Sequence, residues 1–227
     1  MNAPERHLRG PLETIEWSAG DGPAEATVVL LHGFGAPGDD LASLAPALAG
    51  GRTSRFVFPA APLTPPDMAG WGGRAWWPLR MSEMLQQLST GRFEQLFDAA
   101  PPGVDDARSA LARCLDAVPV HGPLVLGGFS QGAMLAADAA MSGGWEAAGL
   151  VLLSGAPIDS AKWGKASGPA FVSHGRLDEV LPFACGEALR DRLTAAGRSV
   201  QFEPFDAGHT IPAAVVASLK AWLAAIA

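Results

Sequence analysis

A chain of 227 residues, 48% of them hydrophobic and 17% charged, holds ample apolar material for a buried core and lacks the charge-rich bias of a disordered segment. Its formal charge of −7, with no cluster of Lys or Arg, excludes nucleic acid and an anionic membrane as expected partners. No apolar run approaches a bilayer span, and Met1 to Trp17 is polar without the apolar centre of a secretory signal, so the expected address is the cytoplasm.

In chain order, Glu13 to Trp17 reads as a short edge strand after a loose N-terminus. Ala26 to Leu31 is an unbroken apolar run with β-branched residues, the mark of a strand buried on both faces of a parallel sheet. It runs into His32-Gly33-Phe34-Gly35. Asp39 or Asp40 then caps a helix to about Ala49, and Arg55 to Phe58 gives the next strand, which completes a strand-helix-strand unit. From Ala60 to Ala100 the periodicity gives way to a Pro-, Gly- and Trp-rich excursion, with one helical segment near Ser82 to Leu88. So long a stretch inside a compact domain points to a lid-like or pocket-lining role.

Regular alternation then resumes. A helix is expected from about Val104 to Val118, a strand from Leu124 to Gly128, a helix after Ser130 to about Met141, and strands at Leu150 to Leu153 and Ala170 to His174. A helix from about Pro182 to Ala196, a strand from Val200 to Phe205 and a helix from about Ile211 to Ala225 finish the chain. The pattern predicts one α/β domain over residues 1–227, with a mostly parallel central sheet and helices on both faces. Cys114 and Cys185, far apart and each inside a predicted helix, read as buried structural thiols rather than a disulfide or ligand pair.

The chemistry centres on Gly128-Phe129-Ser130-Gln131-Gly132, which fits Gly-x-Ser-x-Gly between a predicted strand and a predicted helix. Flanking glycines let a strained turn hold the Ser130 hydroxyl clear of the backbone, and the new helix points free N–H groups at charge forming beside it. The competing reading is an ordinary Gly-rich turn. A serine nucleophile needs a base, and the base needs a carboxylate to orient it. Of the five histidines, His7 and His121 sit in the N-terminus and in a Pro/Gly turn, while His32 and His174 precede glycines at strand ends, where backbone carbonyls could occupy them. His209, after the last strand and before a helix, is the preferred base.

For the carboxylate, Asp178 follows the strand ending at His174, with Glu179 its rival and Asp206 too close to His209 along the chain. The order Ser130, Asp178, His209 is that of an α/β-hydrolase triad, and all three sit at strand C-termini, where open sheets bind ligands. An oxyanion requires two backbone N–H donors, for which Gln131 and Phe34 are the candidates, Phe34 having plain packing as its alternative. Gly33-Phe34-Gly35-Ala36-Pro37-Gly38 also fits a dinucleotide fingerprint, but Val57-Phe58-Pro59 offers no acid for a ribose. In the excursion, Trp71, Trp76, Trp77 and Met81 are expected either to wall an apolar substrate site or to pack the segment onto the domain.

With these residues in view, the chain resembles the phospholipase/carboxylesterase family of α/β-hydrolases, which includes the acyl-protein thioesterases. The likeness runs from about Thr27 to the C-terminus and rests on Leu31-His32-Gly33-Phe34-Gly35, Gly128-Phe129-Ser130-Gln131-Gly132, His174-Gly175 to Asp178, and Gly208-His209. It implies the α/β-hydrolase fold, a Ser130-Asp178-His209 triad, Phe34 and Gln131 as oxyanion donors, and no metal or cofactor. Thioesterase-like members usually carry Asp after an aromatic pair, whereas Pro78 follows Trp76-Trp77 here. That departure favours a bacterial serine carboxylesterase acting on short- to medium-chain or aryl esters over a lysophospholipase or acyl-protein thioesterase. A hydrolase fold that binds without turnover is the more distant alternative. The expected partner is a small-molecule ester, with no nucleic acid, no integral membrane association and at most a second copy in a homodimer.

Overall fold

A computed structural model describes residues 3–20, 22–79, 99–142, 145–159 and 162–226. The strands are β1 (Glu5–Arg9), β2 (Leu12–Ser18), β3 (Ala26–Leu31), β4 (Ser54–Pro59), β5 (Leu124–Phe129), β6 (Gly149–Leu153), β7 (Pro169–Gly175) and β8 (Ser199–Phe205). The described helices are α1 (Ala45–Ala49), α2 (Val104–Ala117), α3 (Gln131–Met141), α4 (Phe183–Ala195) and α5 (Ala213–Ala224). The eight strands form one sheet in the order β1-β2-β4-β3-β5-β6-β7-β8. β1 and β2 pair antiparallel, β2 meets β4 antiparallel, and every other pairing is parallel.

The apolar runs account for the layering. In β3, Val29 and Leu31 face a core shared with α2, α3 and α4, while Val28 and Leu30 face a second core shared with α1 and α5. Alternation within an all-apolar strand therefore feeds two layers at once, as a parallel sheet covered on both sides requires. Cys114 and Cys185 are free and buried on α2 and α4, and burial pushes both thiols up to about 12.

Two expectations need correction. Glu5–Arg9, read as part of a loose N-terminus, is a strand, and it, not β2, forms the edge. Its polar sequence carries no core face. Partners on β2 hold it instead, among them the Arg9 Nε–H donating to buried Glu16 at 2.6 Å, with Arg55 on the same carboxylate. The helix expected from Asp39 or Asp40 begins as a 3-10 turn over Asp40–Leu44 and turns α-helical only over Ala45–Ala49, and neither aspartate caps it through its side chain.

A second buried charge network ties α2 to α3. Arg108 of α2 pairs with the fully buried Asp138 of α3, and its Nη2 donates to Asp138 Oδ1 at 2.8 Å and to Asp159 Oδ2 at 2.9 Å. Lys162 adds a contact to Asp159 at 2.8 Å. This anchors the helix that begins at the serine turn.

Candidate active site

The strand order reverses between β3 and β5: the chain runs from β3 outward to β4 and then returns to place β5 on the other side of β3. Loops at such a switch point splay apart and leave a crevice at the strand C-termini. The segment after β3 and the turn after β5 flank that crevice. The segments after β7 and β8 follow on one side.

Ser130 occupies the turn from β5 to α3 at φ 53 and ψ −120, a conformation that strains any residue with a Cβ. Its N–H donates to the Leu153 carbonyl at 2.9 Å and its carbonyl accepts from the Met134 N–H at 3.1 Å, so neighbouring structure enforces the strain. Gly132 makes the turn sterically possible. A Cβ there would drive into the Leu31 carbonyl and stand 2.6 Å from the His32 oxygen. Backbone contact between the start of α3 and the end of β3 is what brings the segment at residues 32–36 beside Ser130. Gly33 completes it: a Cβ at that position would lie 3.3 Å from the Ser130 Cβ.

Asp178 lies on the loop after β7, its side chain fully buried. Oδ1 accepts from the N–H groups of Val180 at 2.9 Å and Leu181 at 2.8 Å, and Oδ2 accepts from His209 Nδ1 at 2.7 Å. Burial alone would raise its carboxyl, but the hydrogen bonds from His209, Leu181 and Val180 outweigh burial and hold it below the ordinary value. The rivals fall away on geometry. Glu179 is exposed, and Asp206, 87% exposed, faces Arg176 at 3.3 Å. Across the β8 loop the His209 ring packs on Phe129, the residue before Ser130, with centroids 4.7 Å apart. The imidazole is thus fixed at one nitrogen by a carboxylate and packed, tilted, against the ring that precedes the serine.

His174, at the end of β7, is a second imidazole beside the same carboxylate. Its Nε2–H donates to the Leu181 carbonyl at 2.8 Å and lies 3.4 Å from Asp178 Oδ2. Burial holds it below the usual histidine range, so it is neutral and serves as a strut for the Asp178 loop. Its neighbourhood to Asp178 could have been suspected from the four-residue spacing. The contact of Phe129 with His209 had no sequence signal.

In the segment after β3, the Gly35 N–H donates to the Arg74 carbonyl at 2.8 Å and the Ala36 N–H to the Gly33 carbonyl at 3.3 Å. Among the described residues the Phe34 N–H has no such acceptor. His32 is buried. Its Nε2 accepts from the Ala61 N–H at 3.0 Å, so the proton resides on Nδ1, which donates to the Gly33 carbonyl at 2.8 Å. The Gln131 side chain, also buried, accepts from the Trp76 N–H and donates to the Trp77 carbonyl, each at 2.9 Å.

The tryptophans divide. Trp71 is 63% exposed at the crevice side of the excursion, its indole N–H donating to the Gly35 carbonyl at 3.3 Å. Trp76 and Trp77 are each 1% exposed and belong to the core, so packing, the alternative raised for them, describes their place. A tryptophan in a Pro/Gly-rich stretch reads equally as wall or core until its neighbours are known. Met81 and the segment Ser82 to Leu88 lie outside the described residues. A cavity of about 560 Å³ lies beside β1 and β2, lined by Arg6, Glu13, Asp39 and Arg74 among others, and Ser130, Asp178 and His209 do not reach it.

Residues 13–227 match the Phospholipase/Carboxylesterase family. Acyl-protein thioesterase 1 of Eremothecium gossypii is 28% identical over 187 residues, covering 76% of this chain and 74% of that protein. The Saccharomyces cerevisiae protein of the same name is 28% identical over 179 residues, 72% of this chain and 75% of its own. Among solved structures, esterase PE8 superposes with a TM-score of 0.78 at 26% identity, over 95% of this chain and 99% of that one. Zea mays acyl-protein thioesterase 2 shares the fold with a TM-score of 0.69 at 24% identity, over 94% and 98% of the two chains.

Proposed function

The chain belongs to the phospholipase/carboxylesterase family and is a hydrolase of the serine type, and from that premise we propose that it cleaves short- to medium-chain or aryl carboxylic esters through Ser130, His209 and Asp178. One observation carries the reading: the His209 imidazole is tethered at 2.7 Å to a buried carboxylate and packed, tilted, against the ring of the residue preceding a strained serine. His209 takes the Ser130 proton, and the hydroxyl attacks the ester carbonyl. The Phe34 and Gln131 N–H groups hold the oxyanion, the alcohol departs with a proton from His209, and water repeats the cycle to release the acid. Asp178 keeps the proton-accepting nitrogen, Nε2, turned to the serine and offsets the imidazolium charge.

Trp71 is the described aromatic placed to meet substrate, since its exposed ring sits on the carbonyl of Gly35 beside Phe34. Leu177 and Val180, 67% and 42% exposed on the Asp178 loop, offer apolar surface beside the base. Two free, buried cysteines accord with a cytoplasmic place of action. No helix among the described residues is long and apolar enough to cross a membrane. The curated relatives favour a second reading, acyl-protein thioesterase activity, against which Pro78 after Trp76-Trp77 weighs. A p-nitrophenyl ester series run on wild type and Ser130→Ala tests the proposal, with an acylated peptide as competitor. Turnover that survives in folded Ser130→Ala removes the nucleophile assignment, and hydrolysis of long chains alone removes the substrate class.

A further inference from the structure

We propose that His32 is a positioning residue that presets the oxyanion hole, holding the Gly33 carbonyl so that the N–H of the same peptide, which belongs to Phe34, faces the nucleophile. The inference rests on the reading of Phe34 as an oxyanion donor. Its basis is the planarity of the peptide unit. In a trans peptide the C=O and the following N–H point in opposite directions, so fixing one fixes the other. No peptide bond among the described residues is cis, and the Gly33 carbonyl is held twice, by the His32 Nδ1–H at 2.8 Å and by the Ala36 N–H at 3.3 Å. The Phe34 N–H is thereby turned away from both donors. Rotating this peptide would swap a carbonyl for an N–H at the place where negative charge forms, and the hole would have one donor instead of two.

His32 performs this only as the Nδ1–H tautomer. The Ala61 N–H, delivered to Nε2 at 3.0 Å from the segment after β4, enforces that choice. The backbone of His32 is held as well. Trp76 donates its indole N–H to the His32 carbonyl at 3.0 Å and its backbone N–H to Gln131 Oε1 at 2.9 Å, and Gln131 Nε2 donates to the Trp77 carbonyl at 2.9 Å. The chain of contacts runs from one candidate oxyanion donor to the other, through His32, Trp76 and the Gln131 side chain, without leaving the buried interior. The tryptophan pair, buried in the core, thus sits beneath the hole and braces it.

Two substitutions separate the nitrogens. Asparagine at 32 keeps a side-chain N–H near the Nδ1 position, whereas glutamine keeps an acceptor near Nε2 and loses the Nδ1 donor. With active sites titrated by a fluorophosphonate, His32→Gln is expected to lower kcat on the order of 100-fold with KM within about threefold, the loss typical of removing one oxyanion donor. Affinity for a boronic acid that mimics the tetrahedral state should fall in parallel, and His32→Asn should recover about tenfold of that loss. Equal losses in both variants, or wild-type kcat per titrated site in His32→Gln, would overturn the proposal. Nitrogen NMR of the wild type adds a measurement that needs no variant: His32 must be protonated at Nδ1, and an Nε2–H tautomer overturns the idea. A wild type that neither turns over esters nor takes the fluorophosphonate would bring down the hydrolytic assignment and this inference together. Failure of the His32 results in an active, labelled enzyme brings down this inference alone.

Discussion

Asp178→Asn exchanges one oxygen for an NH2 group at a buried site and leaves the shape almost unchanged. The amide oxygen still accepts from the Val180 and Leu181 N–H groups that Oδ1 serves now, so the loop keeps its two anchors at 2.9 and 2.8 Å. The nitrogen then occupies the place of Oδ2 and donates toward His209 Nδ1, where a carboxylate at present accepts over 2.7 Å. That reversal moves the imidazole proton to Nε2, the nitrogen that must accept from Ser130. The base is lost without loss of fold. A wrong-tautomer triad of this kind costs on the order of 10⁴ in turnover, equivalent to about 5.5 kcal/mol of transition-state stabilisation. The assay is kcat/KM on a p-nitrophenyl ester with folded fraction checked by circular dichroism, beside Glu179→Gln and Asp206→Asn, which should stay near wild type. A value for folded Asp178→Asn within about tenfold of wild type would refute the assignment of the acid and the tautomer logic behind it.

Gly132→Ala should prevent stable folding or cost at least about 3 kcal/mol in urea unfolding, because the added carbon meets the backbone of Leu31 and His32 rather than a movable side chain; a shift below about 1 kcal/mol would contradict the close approach. Arg108→Met strands Asp138, fully buried on the helix that begins after Ser130, and should cost about 3–5 kcal/mol by the same measurement. His32 and His174 are both held by burial below their ordinary 6.5. The unfolded chain therefore binds more protons than the folded one just below that pH, and stability should fall as pH drops from about 6.5 by up to about 1.4 kcal/mol per pH unit for each histidine. Asp178, held below 3.8, adds its own loss only as pH falls past that value, so a urea midpoint that stays level between pH 7.5 and 5 would falsify the assignment of neutral, buried imidazoles.

Much of the fold was legible because burial on two faces leaves a plain mark. Ala26–Leu31 and Gly149–Leu153 are apolar throughout since each feeds two cores, and Gly128 to Gly132 announces a turn by the backbone freedom it needs. The neighbours of the site could be placed at strand ends for the same reason. β1 was not legible: Glu5, Arg6, His7 and Arg9 bury no face, and what holds the strand is its backbone pairing with β2 and the grip of Arg9 on the Glu16 carboxylate of that strand. His32 could be placed at a strand end, but its partner Ala61 lies 29 residues away, a separation that no local pattern encodes. The parts of the site set by helix, strand and glycine periodicity were therefore readable, and those set by single long-range hydrogen bonds were not.

The outer rows of the sheet bear on how copies of this protein can meet. One margin is a five-residue strand with charged side chains at Glu5, Arg6 and Arg9, and the other carries Glu203 and Pro204. Short length, charge and proline all discourage an incoming backbone from zipping onto a free strand. Self-association by ribbon extension, the common route to fibrous aggregates, is thereby blunted on both flanks, and any pairing of two molecules is steered toward helical or loop surfaces.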